Sequence, residues 1–241
     1  MQSVERYLRE MQSLQTSEDL WRLGIAYFKS RHIHMVSYHH VPPIGAPDHQ
    51  DVHVVAEGFP DAWVEKYVRR RLFDFDPIPT LALQRSDPYR WSDVGQLMTL
   101  SQDQIRFLEE LRNAELGDGL AIPVFGPGGR NGYVGLGFDP HKAEVSNIVA
   151  LKELQWVCQA THLKFCEVLA PKLRPPTSLS PQEKSVLRWV ARGKSNADIS
   201  AIMGVSQATV DTYLRRIFSK LGVADRVTAA IKGVGSGTIT L

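Results

Sequence analysis

The chain of 241 residues is short of the features that mark secreted, membrane-spanning or disulfide-linked proteins. Its only two cysteines, Cys158 and Cys166, lie eight residues apart in one predicted helix, which is too far for them to bridge each other. No apolar run approaches the roughly 20 residues of a membrane span, and the N-terminus has no charged start followed by an apolar core. We therefore expect a cytoplasmic protein with reduced thiols and no membrane partner.

The chain also lacks the usual signatures of catalysis and cofactor binding. There is no G-x-S-x-G nucleophile motif and no dinucleotide fingerprint within a βαβ unit. The Gly-Lys-Ser run at 193–195 lacks the upstream glycine of a phosphate-binding loop, and helix capping explains it. Four histidines between residues 32 and 40 have no cysteine or acidic ligand at a fixed spacing. We therefore expect no enzyme, no metal site and no cofactor.

The small net charge of +2 hides an uneven distribution. From Arg174 to the C-terminus there are 10 lysines and arginines against 4 aspartates and glutamates, whereas the residues before Arg174 carry a net negative charge. Positive charge concentrated in one part of a chain is what the neutralisation of DNA phosphates requires. The positive charge of the C-terminal segment therefore predicts that it binds DNA.

The segment from Leu179 to Val223 predicts three helices separated by two tight breaks. The first two helices begin with capping boxes at Ser180 and Ser195, in which a serine and an acidic residue three positions later satisfy each other's backbone N–H. Gly193 and Gly204 supply the turns that follow these helices. This layout is typical of a helix-turn-helix DNA reader.

The third helix, which begins after Ser206, has two different faces. Its apolar residues share one face at about 100° per residue: Val210, Leu214, Ile217 and Leu221. The opposite face carries small, hydroxyl and basic side chains that suit a DNA major groove. We predict that the surface for bases is formed by Gln207, Thr209, Asp211, Thr212 and Arg215, and that phosphates are bound by Lys194, Arg216 and Lys220. A merely solvated helix face would show the same pattern, and this alternative stays open.

The segment resembles the DNA-binding domain of LuxR-type transcription regulators. It has the spacing E-x3-L-x5-G at Glu183, Leu187 and Gly193, the run GKSNADIS, and the closing run KLGVADR. Tyr213 departs from the pattern, because many members have histidine at that position. The resemblance implies that this segment binds DNA.

The preceding residues predict helices around an antiparallel sheet. One predicted helix starts at Thr16, and three others cover Pro60–Arg70, Ser101–Ala114 and Glu144–Leu169. The predicted strands cover Val36–His40, Val52–Val55, Leu120–Phe125 and Tyr133–Phe138. Strands and helices do not alternate strictly, which argues against a doubly wound parallel sheet. We expect an α+β domain (an α/β/α sandwich) at 1–170, a proline-rich linker at 171–178 and an all-α helix-turn-helix domain at 179–241.

Aromatic residues and one carboxylate in the first domain suggest a ligand site. The candidates are Phe59, Trp63, Tyr67, Phe73, Asp76 and Trp91. Tryptophan and tyrosine bury a large apolar area yet keep a hydrogen-bond donor, and a buried carboxylate needs a partner such as an amide N–H. An aromatic core in which Asp76 only caps a turn is the alternative from composition.

These residues resemble the autoinducer-binding domain of the LuxR family. The matching features are W-x3-Y at Trp63 and Tyr67, D-P at Asp76, Trp91 and Gly119. Together with the DNA-binding segment, the similarity runs from about residue 21 to 233. The resemblance implies that Trp63 donates to a lactone carbonyl, that Asp76 accepts from the ligand amide, and that Tyr67 lies near that amide. The implied ligand is an N-acyl-homoserine lactone, a signal of cell density.

Two hydroxyl groups that are common in that family are absent. Phe59 stands where many members have tyrosine, and Gly137 stands where a serine or threonine often contributes. Each missing neutral hydrogen bond weakens binding by about 0.5–1.5 kcal/mol. We expect a more apolar cavity, with Tyr38 as a further wall, and an aryl or plant-derived hydrophobic signal remains an alternative ligand.

The combined prediction is a ligand-responsive transcription regulator of the quorum-sensing type. We expect a homodimer, formed through the predicted helix Glu144–Leu169, that binds an inverted-repeat operator. A phosphorylation-controlled response regulator shares this DNA reader, but the acidic cluster and strict β/α alternation that it needs are absent. An enzyme with a DNA-binding appendage would need paired carboxylates or metal spacing, which the sequence does not show.

Overall fold

The computed structural model describes residues 3–49, 53–114, 116–138, 148–171 and 178–241. By their contacts they form two compact units, Met1–Val41 with His53–Leu169, and Pro42–Val52 with Ala170–Leu241. The predicted linker lies almost wholly outside the described residues, so the domain boundaries stay a prediction. Among the described residues no helix is long and apolar enough to cross a membrane.

The first unit combines a five-stranded antiparallel sheet with helices. The strands are β1 Ile33–Val41, β2 His53–Glu57, β3 Tyr89–Arg90, β4 Gly119–Val124 and β5 Asn131–Phe138, in the spatial order β2-β1-β5-β4-β3. The helices are α1 Val4–Gln12, α2 Ser17–Lys29, α3 Asp61–Arg69, α4 Pro77–Ala82, α5 Val94–Leu97, α6 Gln102–Asn113 and α7 Ile148–Leu169. The first four residues of the predicted last helix, 144–147, lie outside the described residues.

Helices cover both faces of this sheet. Ser37 on β1 pairs with Gly135 on β5, and both face Trp91, which follows β3. Their strand neighbours Val36 and Leu136 point the opposite way, into a core shared with α1, α2 and α7. The predicted α/β/α sandwich with an antiparallel sheet is confirmed.

Local capping sets where several helices begin. The hydroxyl of Thr16 accepts from the backbone N–H of Asp19 at the start of α2, and Ser101 with Gln104 forms the predicted capping box of α6. The helices α1, α4 and α5 and the two-residue strand β3 were missed by sequence reasoning. Of these, α4, α5 and β3 have six residues or fewer, too few for a periodic pattern to stand out in the sequence.

The second unit is helical, with α8 Pro181–Ala191, α9 Asn196–Met203, α10 Gln207–Leu221 and α11 Arg226–Gly235. The capping boxes at Ser180 and Ser195 are present, and Gly204 ends α9 with a left-handed φ of 66°. The three helices predicted between Leu179 and Val223 are present as α8, α9 and α10. A further helix, α11, follows this segment and is capped by Asp225, whose side chain accepts from the backbone N–H of Val227 and Thr228.

Candidate functional site

An aromatic cluster lies between α3 and α6. Trp63 and Tyr67 lie one helical turn apart on α3, with ring centroids 6.3 Å apart, and Phe107 on α6 lies 6.4 Å from Trp63 and 6.2 Å from Tyr67. Trp63 is buried and Tyr67 is half-buried. Phe59 is half-buried and packs against this cluster and against the one that contains Trp91.

Asp76 places a carboxylate beside these rings. Its Oδ1 accepts from the backbone N–H of Ile78 at 2.9 Å, which caps α4, and its Oδ2 accepts from the hydroxyl of Tyr67 at 2.9 Å. Among the described residues no cation pairs with Asp76. Burial therefore raises the pKa of Asp76 to about 7, although both hydrogen bonds act to lower it. The residue caps a helix and is also a buried acceptor among aromatic rings.

Trp91 lies against a glycine surface on the sheet. A Cβ atom on Gly119 would lie 2.7 Å from the indole and 2.7 Å from the carbonyl oxygen of Leu136. A Cβ atom on Gly137, where the family often has a hydroxyl, would lie 2.8 Å from Met35 and 3.3 Å from the indole. Trp91 and Met35 therefore fill the volume that a hydroxyl-bearing side chain at position 137 would occupy. The indole Nε1 of Trp91 is buried and has no partner among the described residues.

Two strands bring further polar groups to this face of the sheet. Tyr133 and His39 are paired across β5 and β1, their rings stack with centroids 4.4 Å apart, and the hydroxyl lies 3.0 Å from Nε2. Burial lowers the pKa of His39 to about 3, so this ring is neutral. Ser37 lies two residues before His39 on the same face. Sequence reasoning missed these three residues, although the two-residue period of β1 links them.

Tyr38 is a correction to the predicted ligand residues. It belongs to the core on the α7 side of the sheet, and its hydroxyl lies 2.8 Å from Nδ1 of His162. Successive side chains of a strand point to opposite faces, so Tyr38 does not line the face that Trp91 covers. Phe73 also differs from expectation, because it is 43% exposed and stacks under the guanidinium of Arg71.

The predicted DNA-binding face of α10 points away from the core of the second unit. Gln207, Arg215 and Arg216 are exposed, while Thr209 and Thr212 are half-buried. The four apolar residues predicted for the other face are all buried. The helix α10 therefore has the buried apolar face and the exposed polar face that the sequence predicted. Lys194, which precedes α9, is exposed as well.

Asp211 and Lys220 have partners within the unit. Asp211 accepts from the side-chain amide of Asn196 at 2.6 Å, which ties α10 to α9. Lys220 donates to Glu183 at 2.7 Å, and Glu183, which also closes the capping box of α8, is only 2% exposed. The prediction of Lys220 as a phosphate ligand is therefore corrected, since its charge compensates a buried carboxylate.

Comparison with known proteins agrees with both units. Residues 16–165 match the family described as "Autoinducer binding domain", and residues 177–232 match "Bacterial regulatory proteins, luxR family". The crystal structure of Escherichia coli SdiA superposes with a TM-score of 0.74 at 20% identity, covering 99% of this chain and 98% of that one. SdiA in complex with octanoyl-rac-glycerol gives a TM-score of 0.72, also at 20% identity, and covers 98% of this chain and 97% of that one.

Two regulators are similar in sequence. The HTH-type transcriptional regulator y4qH of Sinorhizobium fredii is 29% identical over 184 residues, which are 76% of this chain but only 56% of that protein. The HTH-type quorum sensing-dependent transcriptional regulator RpaR of Rhodopseudomonas palustris is 29% identical over 189 residues, 78% of this chain and 75% of RpaR.

The fold and these matches define the class of protein, a small-molecule-binding domain joined to a helix-turn-helix domain. The chain belongs to the LuxR family of bacterial regulatory proteins, whose members are ligand-dependent transcription regulators. A DNA partner and a small signal molecule follow from these two domains.

Proposed function

We propose that this regulator senses an N-acyl-homoserine lactone. The observation that carries the proposal is the environment of Asp76, a buried carboxylate that accepts two neutral hydrogen bonds and has no cation partner among the described residues. Such a group gains most from a further neutral donor, because a neutral N–H stabilises the ionised form without burying another charge. The amide of an acyl-homoserine lactone is a donor of this kind.

The neighbouring residues supply the other contacts of the proposed ligand. Trp63 donates its indole N–H to the lactone carbonyl, and Tyr67 lies beside the ligand amide through its bond to Asp76. Trp91 forms one wall of the proposed ligand site. Its ring can pack against the sheet because Gly119 has no side chain there. Phe59 adds an apolar surface for the acyl chain.

A different hydrophobic signal is the second candidate. The positions of Phe59 and Gly137 lack the hydroxyl groups that would hold the acyl-side carbonyl of a lactone, which weakens the argument for an amide-linked acyl chain. SdiA, which shares the fold, was crystallised with octanoyl-rac-glycerol. An aryl or plant-derived ligand would use the same apolar walls with fewer polar contacts.

Ligand binding would act on DNA binding through dimer formation. A ligand that binds only the folded domain stabilises it by mass action. On α7, Trp156 is 72% exposed and Leu163 is 47% exposed, and their spacing of seven residues places them on one side of the helix. We propose that a second copy covers these side chains, and that the paired DNA-binding domains then bind an inverted-repeat operator.

We propose that the exposed face of α10 reads the operator. Gln207, Thr212 and Arg215 would contact bases, with Thr209 and Asp211 beside them. Arg216 and Lys194 would contact phosphates. The protein would act by binding alone, without catalysis, in the cytoplasm where the DNA is.

The experiment that tests the ligand is mass spectrometry of small molecules extracted from the purified full chain, produced in cells that are fed a mixture of acyl-homoserine lactones. The wild type is expected to retain a lactone, and Asp76→Ala is expected to lose it. Asp74→Ala is the matched control, because Asp74 is exposed and pairs with Arg71. A lactone retained equally by Asp76→Ala, or a retained molecule that is not a lactone, contradicts the proposal.

A further inference from the structure

On the α7 side of the sheet, three buried side chains that bind metals come together. His40 on β1 and His162 and Cys166 on α7 each offer one ligand atom, and these atoms lie within 4.8 Å of one another. Their exposed fractions are 0%, 1% and 4%, respectively. The proposed signal site and the proposed DNA surface use none of them.

The spacing on α7 suits chelation. His162 and Cys166 are four residues apart, so their side chains lie one turn apart on the same helix face. Sγ of Cys166 lies 3.7 Å from Nε2 of His162. Zinc bonds of about 2.0–2.3 Å at tetrahedral angles separate two such ligand atoms by about 3.5 Å. The described pair is therefore already close to the separation that a bound ion requires.

The surroundings hold the imidazole of His162 in place. The hydroxyl of Tyr38 lies 2.8 Å from Nδ1 of His162 and 3.4 Å from Nδ1 of His40, and a hydroxyl can donate or accept. Nε2–H of His162 donates to the carbonyl oxygen of Arg130 at 2.8 Å, so a metal at Nε2 would replace this bond, with the ring proton moving to Nδ1 beside the Tyr38 hydroxyl. A ligating histidine is commonly oriented in this way by a hydrogen bond to its second ring nitrogen.

We propose that His40, His162 and Cys166 form a buried site for a thiophilic divalent cation, with Zn²⁺ as the natural candidate. Two nitrogens and one sulfur are the donor set that zinc prefers over magnesium or calcium. Binding replaces the thiol hydrogen of Cys166 by the metal and releases one proton to solvent.

The bound ion would tie β1 to α7. These two elements belong to the same unit, and α7 carries the exposed residues proposed for dimer formation. Metal binding would therefore stabilise the unit from the face opposite to the proposed signal site. This role does not depend on the identity of the signal.

The test uses Co²⁺ as the probe on full-length protein that has been stripped of metal, with zinc content of the protein as purified measured in parallel. The wild type is expected to bind one equivalent of Co²⁺ and to show a thiolate-to-cobalt charge-transfer band that Zn²⁺ abolishes. Cys166→Ser is expected to lose that band and to bind Zn²⁺ more than tenfold more weakly. Cys158→Ser is the matched control, because Cys158 is a buried cysteine on the same helix outside the cluster.

Two results would overturn the proposal. A wild-type protein with neither a thiolate band nor retained zinc would show that the cluster is only a hydrogen-bonded part of the core. Metal binding that survives in Cys166→Ser would place the ion elsewhere, for example on surface histidines. The wild-type measurement alone can refute the site, even if one of the variants does not fold.

Discussion

Replacing Asp76 by asparagine should change how the stability of the protein depends on pH. Asparagine keeps an oxygen that accepts from the N–H of Ile78 at the start of α4, but it never ionises. In the wild type, burial raises the pKa of the Asp76 carboxyl from 3.8 to about 7. The folded protein therefore holds this proton more tightly than the unfolded chain does.

The sign and the size follow from this shift. The stabilising contribution of protonated Asp76 is fully present below pH 3.8 and is lost as the pH rises to about 7. A shift of about three pKa units corresponds to roughly 4 kcal/mol at 1.36 kcal/mol per unit. The free energy of unfolding of Asp76→Asn minus that of the wild type should thus grow by up to roughly 4 kcal/mol between pH 4 and pH 8.

The assay is urea unfolding of full-length protein that has been refolded to remove bound small molecules, at several pH values from 4.5 to 8.5. Asp74→Asn serves as the control, because it makes the same chemical change at an exposed carboxylate that pairs with Arg71. A difference that stays flat across this range, or that falls as the pH rises, would refute the account of Asp76 as a buried carboxyl whose ionisation is costly.

Three further predictions concern other parts of the chain. Gly119→Ala should destabilise the protein by about 1–3 kcal/mol in urea unfolding, because the added Cβ would overlap the Trp91 ring and a backbone oxygen. Gly95→Ala is the control and should not destabilise it, because the added Cβ would have no neighbour closer than 3.7 Å. Lys220→Ala should lower the free energy of unfolding by about 1–3 kcal/mol, because its buried carboxylate partner is left unpaired. Arg216→Ala should leave stability unchanged and reduce the salt dependence of DNA binding by about one ion. Equal effects of the two variants on stability would contradict a structural role for Lys220 and a DNA-binding role for Arg216. Trp156→Ala should weaken self-association in sedimentation at unchanged folding, and an unaltered dimer constant would remove α7 from the interface.

The features that sequence reasoning predicted well are local. The capping boxes at Ser101, Ser180 and Ser195 are present because each is complete within four residues of chain. The apolar face of α10 follows from helix periodicity alone. The hairpin between β4 and β5 was also predicted, because a glycine-rich turn lies between two apolar runs; both strands are buried along nearly their whole length.

The errors arise where a single position or a distant partner decides the outcome. Tyr38 was assigned to the wrong face because β1 carries large or polar residues on both faces, and a step of one residue along a strand reverses the side-chain direction. The metal site proposed at His40 was not predicted from the sequence, because His162 and Cys166 are far away along the chain. Lys220 looked like a phosphate ligand until the fold brought Glu183, 37 residues earlier, to within 2.7 Å.

Hydrogen bonds and patterns that span a few residues were enough to predict the capped starts of α6, α8 and α9, the hairpin of β4 and β5, and the family. Only the tertiary structure decided which side chains meet. It bonded Tyr38 to His162 across 124 residues and buried Asp76 beside Tyr67, with no cation partner among the described residues. Whether a polar group is buried, and what satisfies it there, depends on the packing of distant segments, and this packing sets the pKa of Asp76 and the composition of both proposed sites.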